Sequence, residues 1–594
     1  MEDIMKKTKT LHRILALLLV LVMTASLAAC AVKDDNTKKE DNKQNSQDNN
    51  SGKNDADDQS SDDNSEDNNT PADTKTDSGV LAGKTEVTAE DILARDFSDN
   101  VKISFAGVQV TDGLDYNHGN DYYSWWTDTF NVEWDMTALT FENWVERMNI
   151  WINADDLPDW SVWNFNPGDA ANYVDQGLVK ELPADWKEKY PNLAAAASCT
   201  AANAYYENLY GGTYFLFRPV FANNFPEEAD TLTSHMSVFL RKDWTEQANY
   251  DLSKNLESNS ITISEFFAYL QAVKDAGIAE YPWYNTSGYV GNVLDRVTEA
   301  SGVGQNPYYK GSDGQYHWGP AEEETGIKET LRQIKGAYDN GLLYPEFYTL
   351  QEPDDVGHFY AAGDCAGQMY TGMAAWFDRY DSYMQSNLGV SYWDTSVTLV
   401  LTDDNGVAHD DPLTNYWACN IISPNIDDET LDRLLTIWDY GCTEEGQLRI
   451  RLGIPDVDWK YDENGEVINT IEETGFASLE EKYTSVYPIT GNMFILSDDY
   501  SFISPANSKA ARDRVAELYI TRSKITSARG QEPDWNLLSY SSQAMNLASM
   551  TYADEYANII TKDGDFDANY DQWVADKLKM IQPVLDELNA AFGN

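Results

Sequence analysis

The residues of this chain best suited to chemistry are aromatic rings set among amides and carboxylates. Asp121-Tyr122-Tyr123-Ser124-Trp125-Trp126, Trp160-Ser161-Val162-Trp163-Asn164 and Pro282-Trp283-Tyr284-Asn285 place Trp and Tyr beside Asp, Asn or Ser rather than inside apolar runs. Flat aromatic faces suit the C–H faces of sugar rings, and the neighbouring Asp and Asn suit hydroxyls. Tyr 36, Trp 18 and Phe 20 make 12% of the residues, so the pattern runs through the chain. A single Trp more often fills a core than a ligand site. The set as a whole points to a carbohydrate groove. Trp126 and Asp115 follow the C-terminal end of the first expected strand, where open α/β sheets bind ligands. Trp417 lies near an expected return crossing of the chain.

Hydrolysis is the rival chemistry. A glycosidase needs two carboxylates about 5–10 Å apart, but 99 acidic residues make pairs ubiquitous and Glu444-Glu445 uninformative. There is no G-x-S-x-G elbow, no H-E-x-x-H and no Walker A loop. His12, His118, His235, His317, His358 and His409 are scattered singly, which speaks against histidine catalysis or a His-rich metal site. Asp563-Gly564-Asp565-Phe566-Asp567-Ala568-Asn569 is similar to the start of a calcium loop. It lacks the sixth-position Gly and has Val574 where a bidentate Glu should close it. No cofactor or metal is expected, and the reading is of a non-enzyme. A peptide-binding or adhesin lipoprotein is a third alternative.

The N-terminus says where such a protein would work. Lys6, Lys7, Lys9 and Arg13 precede an apolar run from Ile14 to Met23, and small residues follow, ending in Leu27-Ala28-Ala29-Cys30. That is a secretory signal, residues 1–29, with Cys30 placed as in a bacterial lipobox to receive lipid. The run is shorter than the roughly 20 residues of a spanning helix. The expected location is the extracellular face of a Gram-positive-like cell membrane, anchored through lipid on Cys30. Net charge of -57 excludes a general nucleic-acid binder. Beyond Cys30, four widely spaced cysteines without a CxxC pair argue against a disulfide framework or a zinc site, and leave a Cys419–Cys442 bridge open.

The elements that must position the aromatic groups follow from pattern. Residues 30–92 are nearly all polar and read as an extended acidic tether. Val101-Lys102-Ile103-Ser104-Phe105-Ala106-Gly107 alternates as a strand. The spacing of Phe141, Trp144, Val145 and Met148 predicts a helix, and Leu157 to Trp163 reads as a strand. A helix from Gly168 to Gln176 closes at Gly177, and Ser264 caps one from Glu265 to Lys274. Further helices run from Leu331 to Tyr338 and from Asp428 to Tyr440, and Gly367 to Tyr370 is a buried strand. Strands alternating with helices imply βαβ units.

Motif order then resembles a family. Asp156-Leu157-Pro158-Asp159 with Trp163 and Gln176-Gly177-Leu178-Val179, Leu209-Tyr210-Gly211-Gly212 with Val238 to Trp244, and Phe359 to Asp364 through Met369 and Gly372 to Trp376 are similar to stretches of the family-1 extracellular sugar-binding lipoproteins of bacterial ABC importers. Ile422-Ser423-Pro424 followed by Leu434 to Trp438 and Thr443-Glu444-Glu445-Gly446, and Asp565-Phe566-Asp567 with Trp573, continue the likeness across about residues 95–590. Gly212-Thr213-Tyr214 replaces the family's small proline turn, and about 445–590 is unusually long. The resemblance implies a periplasmic-binding-protein-like α/β fold of two discontinuous lobes joined by hinge strands, with a ligand cleft between them. Its approximate lobes are 93–222 with 400–442, and 223–399 with 443–594. It implies a monomer that captures an oligosaccharide for the permease subunits of an importer. It also implies stacking by Trp163, Trp283, Tyr284 and Trp376, with Asn164 and Asn166 as hydroxyl partners.

Overall fold

The computed structural model describes residues 85–593 apart from 109, 141–142, 164–168, 220–234, 299–306, 351–353, 410–415, 466, 477, 485, 487–505 and 527–533. The expected signal, Cys30 and most of the tether therefore lie outside the described residues. The folded body includes residues that the polar composition assigns to the tether. Thr88 and Asp91 form a reciprocal cap on the helix Ala89–Leu93, whose Ala89 and Ile92 are buried. Residues 85–92 thus belong to the folded body rather than to the tether.

Among the described residues, nine strands form the two larger sheets. The first holds β1 (Val101–Val108), β2 (Val132–Leu139), β3 (Trp160–Trp163), β4 (Leu216–Pro219) and β9 (Tyr416–Ile422), in the order β2-β1-β3-β9-β4. β1 pairs parallel to β2 and β3, whereas β9 runs antiparallel between β3 and β4. The second holds β5 (Met236–Arg241), β6 (Ser260–Thr262), β7 (Gly367–Thr371) and β8 (Ser396–Thr402), in the order β6-β8-β5-β7. Each sheet has its own core. Phe105, Trp160, Leu434 and Trp438 lie in the first, and Val238, Phe266, Trp283 and Met369 in the second. This is the two-lobed α/β architecture expected, with each lobe assembled from separate stretches of chain.

Most of the expected elements are present. The helix predicted from Phe141 spacing spans Trp144–Ala154, and Gly177 ends the turn after Ala170–Asp175 with φ of 65°. The helix Ile263–Asp275 is capped by Thr262 rather than Ser264. Thr262 Oγ1 accepts from the Glu265 N–H at 3.2 Å, and Glu265 returns the bond to the Thr262 N–H. Position 400 falls inside β8, so the return crossing starts after Thr402.

A larger correction concerns residues 443–486, expected with the second lobe. Ile450, Tyr483 and Val486 belong to the first core, and Tyr122 donates to the Ile450 carbonyl at 3.3 Å. Gly446 is the reason the chain turns back there. Thr443 caps the helix Glu444–Leu452, and a Cβ at Gly446 would stand 2.0 Å from the Tyr440 carbonyl oxygen. Only glycine allows this helix to start directly against the end of Asp428–Gly441. Gly446→Ala is expected to cost about 1–3 kcal/mol of stability, the scale of overpacking, read as a lower denaturant midpoint at unchanged slope.

The helices Lys509–Ile525 and Phe566–Phe592 pack on the second sheet's cores. Cys199, Cys365, Cys419 and Cys442 are free thiols. Asp565 caps the last long helix, and Asp567 pairs with Lys328 and Arg332, so the acidic run at 563–569 serves a helix start and ion pairs. No helix among the described residues is long and apolar enough to cross a membrane.

Candidate ligand site

Strand register locates the edge at which each sheet meets the crossing chain. In the first sheet the chain leaves at Pro219 and returns at Tyr416, which face each other, and Cys419 pairs with Trp163. The last residue of β3 therefore stands at the crossing edge, together with the end of β1. In the second sheet Met236, the start of β5, pairs with Thr371, the end of β7. β8 runs antiparallel to β5, with Leu399 opposite Val238, so its exit at Thr402 shares that edge. The Gly372 N–H donates to the His235 carbonyl at 2.8 Å, and a Cβ on Gly372 would meet Ser237 Oγ at 2.9 Å. This close crossing delivers Trp376 to the same edge, in the first turn of the helix Ala374–Leu388.

Trp376 is half-buried, packed edge-on to Tyr370 with centroids 4.7 Å apart, and Tyr370 in turn meets Tyr289 at 4.8 Å. The exposed Arg379 lays its guanidinium 4.4 Å from the indole centroid. Trp163 is 2% exposed and packs against Trp144 at 5.9 Å, so a ligand reaches it only if neighbouring side chains move aside. Trp417 lies in β9 where the register slips between Tyr416 and Cys419, and the next residue, Ala418, has φ of 60°. Left-handed alanine is strained. Asn164 and Asn166 lie outside the described residues.

The other expected site residues sit elsewhere. Trp126 has no exposed surface and is enclosed by Trp125, Phe130 and Tyr440. Trp283 is equally buried, against Phe266 and Phe267, with its indole N–H on Asn285 Oδ1 at 2.5 Å. It bridges Gly367, the start of β7, about 13 Å along the strand from the crossing edge at about 3.3 Å per residue. Both are core residues in place of the expected ligand-facing role, because no ring face is open. Tyr284 is half-buried in a stack with Tyr344 at 4.7 Å and Phe359 at 4.4 Å, next to that remote end. Asp115 is exposed, and its Oδ1 accepts the N–H groups of Asn117 and His118, which hold its carboxyl below the usual range. Asn117 is tied to the Trp134 backbone, far down β2 from Leu139, so this turn lies away from the crossing edge.

Two features had no motif to announce them. Trp535 stacks on Tyr205 with centroids 5.0 Å apart and an interplanar angle of 20°. The Tyr205 hydroxyl pairs with Ser539 Oγ at 2.7 Å and donates to the Trp535 carbonyl at 3.1 Å. Tyr205 packs on the first core, whereas Leu537 and Tyr540 pack on the second, and Tyr316 donates to Asp534 at 2.7 Å. Residues 534–540 therefore bridge the two lobes. The only hint in the sequence is that Asp534-Trp535-Asn536 repeats the polar-flanked aromatic pattern.

The second is electrostatic. Burial first, then the charges of Arg522 and Arg296, push the His235 imidazole down to about 3. An unfolded histidine titrates near 6.5, so between about 6.5 and 3 the unfolded chain binds the extra proton. Stability is full above about 6.5 and falls as pH drops through that window. The loss, up to about 1.4 kcal/mol per pH unit, should shrink in His235→Gln when denaturant midpoints are compared from pH 7 to 4.

No family profile and no characterised protein matches the sequence itself. Solved structures do match the fold. The alginate-binding protein AlgQ2, solved without calcium ion, is 14% identical with a TM-score of 0.59, covering 84% of this chain and 99% of that one. The Streptococcus pneumoniae ABC-transporter substrate-binding protein FusA, in complex with kestose, is 15% identical with a TM-score of 0.56, covering 82% and 100%. An HMO-binding, ABC-transporter-associated solute-binding protein from Bifidobacterium longum infantis is 15% identical with a TM-score of 0.52, covering 82% and 97%. The chain has the fold of these solute-binding proteins across nearly their whole length.

Proposed function

We propose that this chain, built on the fold of the ABC-transporter solute-binding proteins, is a carbohydrate carrier. It takes up an oligosaccharide between its two lobes and hands it, chemically unchanged, to an importer's permease subunits. The observation that carries the reading is the half-buried Trp376 at the edge where the second sheet meets the crossing chain. Trp163 and the bulged Trp417 stand at the matching edge of the first sheet, which supports a groove served by both halves. Contacts from both lobes favour whichever arrangement brings them together, so binding shifts the lobes toward closure. The lobe-bridging residues 534–540 are part of that balance.

The anchor belongs to the same reading. Lipid on Cys30, with the polar stretch behind it as a tether, keeps the carrier at the outer membrane face. Cys30→Ala should release the protein into the medium of the producing cells. Calorimetry of the purified protein against neutral and charged oligosaccharide panels tests capture, and a reducing-sugar assay on the same mixtures tests the hydrolase alternative. Saturable binding without new reducing ends supports the carrier. New reducing ends, or binding to a peptide panel alone, overturn it.

A further inference from the structure

We propose that the sugar taken at Trp376 carries a negative charge, a carboxylate or a sulfate ester, and that Arg379 is the residue that selects it. This rests on the carrier reading and goes beyond it. The observation is the Arg379–Trp376 pair at the crossing edge. Arg379 is exposed, and among the described residues its guanidinium makes no hydrogen bond or ion pair, only the contact with the indole at 4.4 Å. The exposed Arg147 lies on Trp151 in the same way, 5.9 Å from the ring centroid, so what sets Arg379 apart is its place at the crossing edge.

The acidic neighbours on its own helix are committed elsewhere. Asp378 accepts from the Ser508 N–H at 2.8 Å and from the Ser508 hydroxyl. Asp381 accepts from the Ser391 hydroxyl at 2.7 Å, the Tyr392 N–H at 2.8 Å and the Gln385 amide at 2.7 Å. Arg379 is thus left with unused donors at the ring proposed to meet the ligand.

The stack also biases which sugar can use that ring. A neutral ring seeking the covered face must displace the guanidinium and gives up the cation–π contact. An anionic ring draws the guanidinium onto its charge instead. Arginine's planar fork pairs with a carboxylate or sulfate through two parallel hydrogen bonds. The freed indole face then receives the sugar, so one side-chain movement both exposes the platform and forms the pair.

The test is calorimetry on the full-length protein with oligosaccharides supplied in three matched forms: neutral, uronate and sulfate ester. Wild type is expected to bind at least one anionic form tenfold or more tighter than its neutral match, with that preference shrinking at high salt. Arg379→Gln should abolish the anionic preference and leave the melting curve unchanged, with neutral binding tightened by about two- to fivefold because no cation–π contact has then to be given up. Arg379→Lys should keep part of the preference. The arm that shows it identifies the group. Equal affinity for charged and neutral forms, or a preference that survives Arg379→Gln, overturns the assignment of Arg379 while the carrier stands. Absence of binding to every form overturns the carrier reading, and this one with it.

Discussion

Trp283→Ala will lower the unfolding free energy by about 3–5 kcal/mol, the cost of removing a large aromatic from a packed core. It should leave the sugar affinity of the remaining folded protein within about twofold. The indole has no exposed surface, touches Phe266 and Phe267, and spends its N–H on Asn285. Asn285 in turn accepts from the Met369 N–H at 2.8 Å and donates to the Met369 carbonyl at 2.7 Å, so the cavity would loosen the pairing that holds β7 to this segment. Chemical denaturation reads the first effect, and calorimetry below the transition reads the second. A sugar affinity that collapses while the denaturation midpoint holds would place Trp283 in the groove after all.

Trp376→Ala will do the reverse. Loss of a stacking platform is expected to weaken oligosaccharide binding by about 1–3 kcal/mol, roughly 5- to 150-fold. Stability should fall much less than in Trp283→Ala, because the ring is already half open to water. Trp376→Phe, which keeps a flat face, should recover part of the loss. Unchanged affinity in Trp376→Ala would remove the observation on which the carrier reading stands.

The contrast between these two tryptophans shows what the sequence could and could not tell. Trp283 sits in a polar-flanked aromatic stretch and Trp376 between Ala375 and Phe377, and the resemblance implies the same stacking role for both. What separates them is strand register: Trp283 pairs with the start of β7 and Trp376 follows its end, and that difference appears only when Gly367 and Thr371 find their partners on other strands. Element type was legible because it is local. The alternation at Val101 and the apolar spacing of Asp428–Gly441 gave the strand and helix observed. The cap at Thr262 was displaced by two residues because Ser264 is an equally good capping type, and only the reciprocal bond from Glu265 decides between them. The allocation of 443–486 to the second lobe failed for a long-range reason. Nothing near Gly446 in the sequence says that the next helix folds back on the Tyr440 carbonyl rather than leading away. The Tyr205–Trp535 stack joins residues 330 positions apart and is beyond any periodicity argument.

That stack has a bearing on how a carrier of this build would respond to scarcity. A parting of the two halves that runs between Tyr205 and Trp535 separates their rings and breaks the hydroxyl's bond to Ser539. For an aromatic pair worth about 1 kcal/mol, the resting ratio of joined to parted molecules moves about fivefold, with no solute present. Apparent affinity scales with the share of molecules ready to bind. The dose at which uptake begins is therefore adjustable from an aromatic contact that the cargo need never touch, which leaves the groove free to keep its chemistry while sensitivity drifts.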